Sequence, residues 1–172
     1  MAEDPDRRGF LKVATCALGG GLGIALAAPA LRLVIDPATQ TTVTTPTEPI
    51  DLGPVERFRA DKPVKVDVLA PLLKDAWTTA RDVVLGGAWI HQQADKQLVA
   101  YSAVCPHLGC GIGFEGNTFV CPCHDSKFAL DGGRMSGPSK RGLDPLPLEI
   151  VGGRLRLTWV AYKMDTADRE KA

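Results

Sequence analysis

The chain lacks an excess of either charge: its 20 lysines and arginines balance its 20 aspartates and glutamates. It also lacks any basic stripe interleaved with aromatics. Nucleic acid is therefore excluded as a partner, because that binding needs clustered positive charge. Aromatic residues make up only 6% of the sequence, and no internal repeat is visible, which excludes a repeat array. At 172 residues and 45% hydrophobic, the chain has room for one globular domain with appendages and not for a two-domain enzyme. Histidine is nearly absent, with three in the whole chain, and cysteine is limited to five. Two of those histidines and four of those cysteines fall within residues 105–124, the most informative concentration in the sequence.

The apolar residues are unevenly spread. Val13 to Leu31 (VATCALGGGLGIALAAPAL) is an uncharged run of 19 residues between Lys12 and Arg32. At ~1.5 Å rise per residue it approaches the ~30 Å of a bilayer's hydrocarbon core. Gly19-Gly20-Gly21 and Pro29 weaken it as an isolated helix, but lipid leaves the backbone no other way to satisfy its hydrogen bonds. Residues 13–35 are thus expected to form one membrane anchor. Residues 1–12 precede it and contain "RRGFLK" (Arg7–Lys12), which resembles a twin-arginine export signal with Asp6 where that signal more often has Ser or Thr. Arg7, Arg8 and Lys12 keep the N-terminus in the cytoplasm and send the rest outward. "ALAAPA" (Ala25–Ala30) has peptidase-like small-residue spacing. The span is nevertheless longer than a signal segment and continues through Ile35, so the anchor is expected to be retained.

Residues 36–49 (DPATQTTVTTPTEP) carry six Thr and three Pro and offer no core face. An extended, flexible tether is expected, stretching at ~3.1 Å per residue. From Ile50 the pattern is of short strands and turns: "VKVDVL" (64–69), "AWIHQ" (88–92), "QLVAYSAV" (97–104), "NTFV" (117–120) and "RLRLTWV" (154–160), with Gly152-Gly153 before the last. The fold class is all-β, over residues 50–163. Only "PLLKDAWTTA" (71–80) reads as a short helix, and residues 164–172 read as a charged, frayed tail.

Two boxes carry the chemistry, "CPHLGC" (Cys105–Cys110) and "CPCH" (Cys121–His124). Cys105, His107, Cys121 and His124 could make a tetrahedral zinc site on a structural module. Against this, the Cys-x-His pair is tighter than a zinc knuckle and each box has an extra cysteine, Cys110 and Cys123. The domain also lies where spare thiols tend to pair. A c-type haem needs Cys-x-x-Cys-His, and Cys121-Pro122-Cys123-His124 is one residue short.

At these residues the sequence resembles the Rieske iron–sulfur family, whose signature C-x-H-x-G-C and C-x-x-H both boxes match in full. The resemblance implies a head of antiparallel sheets with a cluster-binding subdomain that holds one [2Fe–2S] cluster. Cys105 and Cys121 would bind one iron and His107 and His124 the other. Neutral imidazoles in place of two thiolates raise the potential to roughly −150 to +300 mV, from about −400 mV for all-thiolate plant-type clusters. It further implies a disulfide between Cys110 and Cys123, as in the quinol-oxidising branch of the family. Cys16, in the anchor, is an ordinary small apolar residue.

"SGPSKRGLDPLP" (136–147) resembles the family's Gly-Pro loop, with Gly137-Pro138 shielding the cluster. Ser126 matches the serine that hydrogen-bonds a bridging sulfide. Phe128 stands where high-potential members have a tyrosine, and Asp125 where many have glycine; both differences lower the potential and favour menaquinol. His91 is expected to face solvent without a functional role, and Trp77, Trp89 and Trp159 to be core or sheet-face residues.

By the resemblance, the chain is the Rieske subunit of a respiratory cytochrome bc-type complex, a quinol:cytochrome c oxidoreductase, and is not catalytic alone. It would accept one electron, coupled to a proton, from quinol at a cytochrome b subunit and pass it to a cytochrome c subunit. His124 is the expected quinol-docking ligand, His107 the other candidate, and Leu108 would line the quinone contact. The implied setting is a bacterial inner membrane: one pass, N-terminus in the cytoplasm, head on the periplasmic side, delivery by the twin-arginine translocase, membership of a dimeric complex. The alternatives are the small Rieske subunit of an arsenite oxidase, a photosynthetic variant of the quinol-oxidising complex, and the structural zinc module.

Overall fold

The structure, a computed structural model, describes residues 5–39, 42–43, 46, 48–59, 61–75 and 77–172. The chain forms two units, one of Met1–Thr42 with Lys74–Thr78 and one of Val43–Leu73 with Thr79–Ala172. The first is dominated by helix α1, Pro5–Thr39, whose stretch Asp6–Asp36 contains an 18-residue window of mean hydropathy 1.8 and is long and apolar enough to cross a membrane. Pro29 and the glycine triplet are carried within it without a break. The helix runs beyond Ile35 to Thr39, so it takes in the first residues of the expected tether. Gln40, Thr41, Thr44, Thr45 and Thr47 of that tether lie outside the described residues.

The second unit is built from three sheets. Strands β1 (Ile50–Pro54), β11 (Arg154–Leu157) and β10 (Leu148–Val151) form one, antiparallel throughout. Strands β2 (Val64–Lys74), β3 (Thr79–Gln92), β4 (Leu98–Ser102) and β9 (Pro145–Leu146) form the central sheet, in that order. The third is a meander of short strands: β5 (Gly113–Glu115), β6 (Thr118–Val120), β7 (Lys127–Phe128) and β8 (Arg134–Ser136).

Side chains on successive strand residues point to opposite faces, and in the central sheet both faces are covered. Ala88 and Ile90 of β3 and Ala100 of β4 join one core with Val68, Leu155, Leu157 and Trp159. Trp89 and Tyr101, paired across the same strands, join a second core with Phe119, Phe128, Cys105 and Cys121. Phe119 is its hub, with ring centroids 5.7 Å from Trp89, 5.2 Å from Phe114 and 6.3 Å from His91.

This two-sided burial corrects the expectation for His91. It is 6% exposed, and its Nε2 lies 2.7 Å from the carbonyl oxygen of Leu130. The alternation of β3 puts it on the Trp89 face, and that face meets the third sheet instead of water. Trp89 and Trp159 are buried as expected, whereas Trp77 is exposed in the turn after β2.

None of the described residues of 71–80 is helical, and Ala76 lies outside the described residues. The Asp75 carboxylate accepts from the backbone N–H of Trp77 (2.7 Å) and Thr78 (2.6 Å) and from the Thr78 hydroxyl (2.9 Å). A side chain that satisfies local amides in this way favours a turn over a helix, and β2 and β3 simply extend into it. The C-terminal segment is folded and not frayed: Lys163 N donates to Glu170 O, Ala172 N to Ala161 O, and Tyr162 bridges Lys171.

Truncating the aromatic hub, Phe119→Ala, should cost about 3–5 kcal/mol, and His91→Leu, which strands the Leu130 carbonyl, about 1–3 kcal/mol. Denaturant midpoints of the two variants against the parent check both figures. A His91→Leu midpoint equal to the parent's would mean that the buried hydrogen bond contributes nothing.

Candidate metal centre

Box 1 leaves β4 and returns toward β5 as a loop tied by its own backbone. Cys105 N donates to Cys110 O (2.8 Å), Gly109 N to Cys105 O (2.9 Å) and Ile112 N to Ala103 O (2.8 Å). Box 2 joins β6 to β7 and is closed by Cys121 N to Ser126 O (2.9 Å). Asp125 in that turn has φ +53°, a left-handed conformation that aspartate tolerates better than most side chains. The two loops are linked by the disulfide Cys110–Cys123, as expected.

Cys105 and Cys121 are free thiols, 1% and 2% exposed. Burial pushes the Cys105 thiol up to about 11, opposed by the backbone N–H groups of His107 and Leu108, which point at its sulfur, and reinforced by the neighbouring Cys121. Such a pocket keeps the thiol protonated until a cation takes the proton's place. The Cys121 sulfur lies within 4.8 Å of the disulfide sulfurs, which are spent on each other. The His107 and His124 rings meet edge to face, centroids 4.9 Å apart. His107 is half-buried and His124 exposed, and Leu108 beside them is 58% exposed. The fold therefore brings the two free thiols together in the interior and the two imidazoles together toward the surface. This mixed donor set fits a [2Fe–2S] group with thiolates on one iron and imidazoles on the other.

The Gly-Pro loop lies against box 2. Gly137 has φ +92°, and a Cβ built there would collide with the Cα of Ser126 and sit 2.7 Å from its hydroxyl. Ser126 is fully buried, and its Oγ accepts from Ser139 N at 3.2 Å. Pro138 is exposed. Phe128 is fully buried in the same core as both thiols and brings no hydroxyl there.

Three aromatic residues of the central sheet hold this assembly from beneath. Trp89 Nε1 donates to Ile112 O (3.0 Å), His91 Nε2 to Leu130 O (2.7 Å) and the Tyr101 hydroxyl to Asp131 O (2.6 Å). Sequence reasoning assigned none of them to the site, although their shared β3/β4 face was available as a signal. It also missed the buried pair Arg141–Asp144, in two contacts of 2.7 and 2.8 Å; "SKRGLD" alone does not say which cation turns inward.

An aromatic-backed meander that carries two disulfide-linked loops, a buried thiol pair and an outer imidazole pair has the donor set of an iron–sulfur protein. Residues 50–147 match the model of the Rieske [2Fe–2S] domain, and the chain belongs to that family. It is 31% identical over 157 residues to the menaquinol:cytochrome c reductase iron–sulfur subunit of Geobacillus thermodenitrificans, covering 88% of this chain and 89% of the relative. It is 30% identical over 161 residues to a cytochrome b6-f complex iron–sulfur subunit from Chlorobaculum thiosulfatiphilum, covering 88% and 72%. The fold also resembles an apo quaternary ammonium Rieske monooxygenase, TM-score 0.50 at 18% identity, over 67% of this chain and 34% of that one.

Two substitutions test the loop geometry. Gly137→Ala should destabilise the protein by about 2–4 kcal/mol, from left-handed strain plus overpacking against Ser126; its thermal midpoint reads this directly. Cys110→Ser should cost about 3 kcal/mol and speed loss of the visible cluster absorbance. An unchanged cluster lifetime in Cys110→Ser would show that the disulfide does not hold the loops.

Proposed function

We propose that the chain is the Rieske electron-transfer subunit of a respiratory bc-type quinol:cytochrome c oxidoreductase, active as part of that complex and not alone. The observation that carries this reading is the Cys110–Cys123 disulfide between two loops, one with an exposed leucine, Leu108, and the other with an exposed imidazole, His124. Cys105 and Cys121 would hold one iron and His107 and His124 the other. The bound [2Fe–2S] group supplies one-electron redox chemistry in the range of roughly −150 to +300 mV.

His124 takes the hydrogen bond and proton of a quinol docked in cytochrome b. Leu108 covers the quinone edge and excludes water there. His107, half-buried behind it, orients the second imidazole. Gly137 and Ser126 keep the Gly-Pro loop close over box 2. Menaquinol as the donor is supported by Phe128, which brings no hydroxyl, by the exposed carboxylate of Asp125, and by the menaquinol-oxidising relative. The acceptor is a cytochrome c subunit, reached by swinging of the head on its Thr/Pro tether. Export of the folded head by the twin-arginine translocase would leave the helix as a single-pass anchor in a bacterial inner membrane. The N-terminus then stays in the cytoplasm and the head lies on the periplasmic side of a dimeric complex. The b6-f relative supports a photosynthetic version of the same chemistry as the second reading.

The test is an EPR-monitored redox titration of the full chain at several pH values. A rhombic signal of low average g, with a midpoint that falls at alkaline pH and lies below the ubiquinol-type range, is expected. Stoichiometric zinc with no EPR signal would overturn the ligand assignment, and a ubiquinol-type midpoint would overturn menaquinol.

A further inference from the structure

The family match ends at residue 147, yet the site has a further neighbour. After β11 the chain doubles back on itself, with Tyr162 bridging Lys171. The turn of this hairpin reaches the metal centre at several points. Asp165 N donates to Pro106 O at 2.8 Å, inside box 1. The Met164 side chain lies over Gly109, where an added Cβ would sit 2.8 Å from its terminal methyl and 2.9 Å from its sulfur. The Asp165 carboxylate pairs with Lys140 of the Gly-Pro loop at 3.1 Å. Met164 and Asp165 therefore touch box 1 and the Gly-Pro loop together. Asp165 itself holds a left-handed conformation, φ +54°, which fixes the direction of the turn.

The base of the hairpin is pinned by one guanidinium. Arg141, 6% exposed, donates through Nε and Nη2 to Asp144, through Nη1 to the carbonyl and hydroxyl of Thr166, and through Nη2 to Lys163 O, all at 2.7–2.8 Å. These contacts use all five of its N–H groups. Asp144 in turn accepts Ser102 N of β4 at its carbonyl, so the hub ties the tail to the central sheet. Between tail and box 1 lies a cavity of about 200 Å³ whose walls include Cys105, Pro106, Trp159, Tyr162 and Met164.

We infer that the C-terminal hairpin, Tyr162–Ala172, is a clasp on the thiol side of the metal centre. Met164, Asp165 and Arg141 act as positioning residues that restrict opening of the Cys105–Gly109 loop and keep water out of the cavity behind Cys105. The inference rests on Cys105 and His107 as ligands for its effect on the cluster, but not for its effect on the loop.

Two readings test it. Hydrogen exchange across residues 104–112 is compared among the parent, a chain ending after Lys163, Met164→Ala and Met164→Leu. The shortened chain should exchange about tenfold faster, Met164→Ala should move in the same direction, and Met164→Leu should restore the parent rate. In cluster-loaded protein the midpoint potential of the shortened chain and of Met164→Ala should rise, because water favours the more negatively charged reduced state. Exchange within about twofold of the parent, or midpoints unmoved in both variants, overturns the clasp. If the shortened chain fails to fold, the Met164 pair decides by the same criteria. A parent that carries no cluster would fail the ligand assignment, while exchange alone would still decide the clasp.

Discussion

Burial of the central sheet on both faces is the constraint on which the metal centre depends. One face of β3 and β4 closes an apolar core with Leu155, Leu157 and Trp159; the other carries Trp89, His91 and Tyr101. Each of those three rings packs against apolar neighbours and ends in a polar atom that reaches a backbone carbonyl of the loops above. Such amphipathic aromatics suit a boundary of this kind, because the ring contributes apolar burial and the tip satisfies a carbonyl that no strand partner can reach. Among the described residues, no buried side-chain polar atom is left without a partner.

On that support the two boxes form a pocket with contrasting sides. The sulfur side is buried: Cys105 and Cys121 sit in the same core as Phe119 and Phe128, where burial favours the neutral form of the Cys105 thiol. The imidazole side is open, with His124 and Leu108 exposed. The proposed exchange with a quinol on one side and protection of the metal on the other both call for this asymmetry. The disulfide gives the loops covalent stiffness, the Gly-Pro loop gives them a lid without a large side chain, and the clasp adds a contact from a part of the chain that the family match does not include.

Much of the site was legible in the primary structure because metal ligation demands particular residue types at short range. Both boxes are local patterns, their resemblance to the Rieske family implied the paired cysteines and the Gly137-Pro138 loop, and the strands at 64–69, 97–104 and 154–160 were marked by their residue types and turns. His91 was misread because periodicity says which residues share a face but not what covers that face. Residues 71–80 were misread because three apolar residues before a polar run look helical until Asp75 captures the Trp77 and Thr78 amides. The tail was misread because its charges suggest solvation, whereas its polar and backbone groups find partners in Arg141, Lys140 and Pro106.

The sequence by itself determined the all-β class of the head and the apolar N-terminal segment, since each follows from residue type and spacing along the chain, while the chemical class of the centre and the pairing of Cys110 with Cys123 came from the resemblance of its two boxes to the Rieske family. Only the tertiary structure decided which histidine is exposed, which aromatic rings hold the loops, that Arg141 and not Lys140 turns inward, and that the tail returns to box 1. Those outcomes depend on contacts between residues far apart in the chain, as for His91 with Leu130 and Asp165 with Pro106, and such contacts exist only once the sheets have packed.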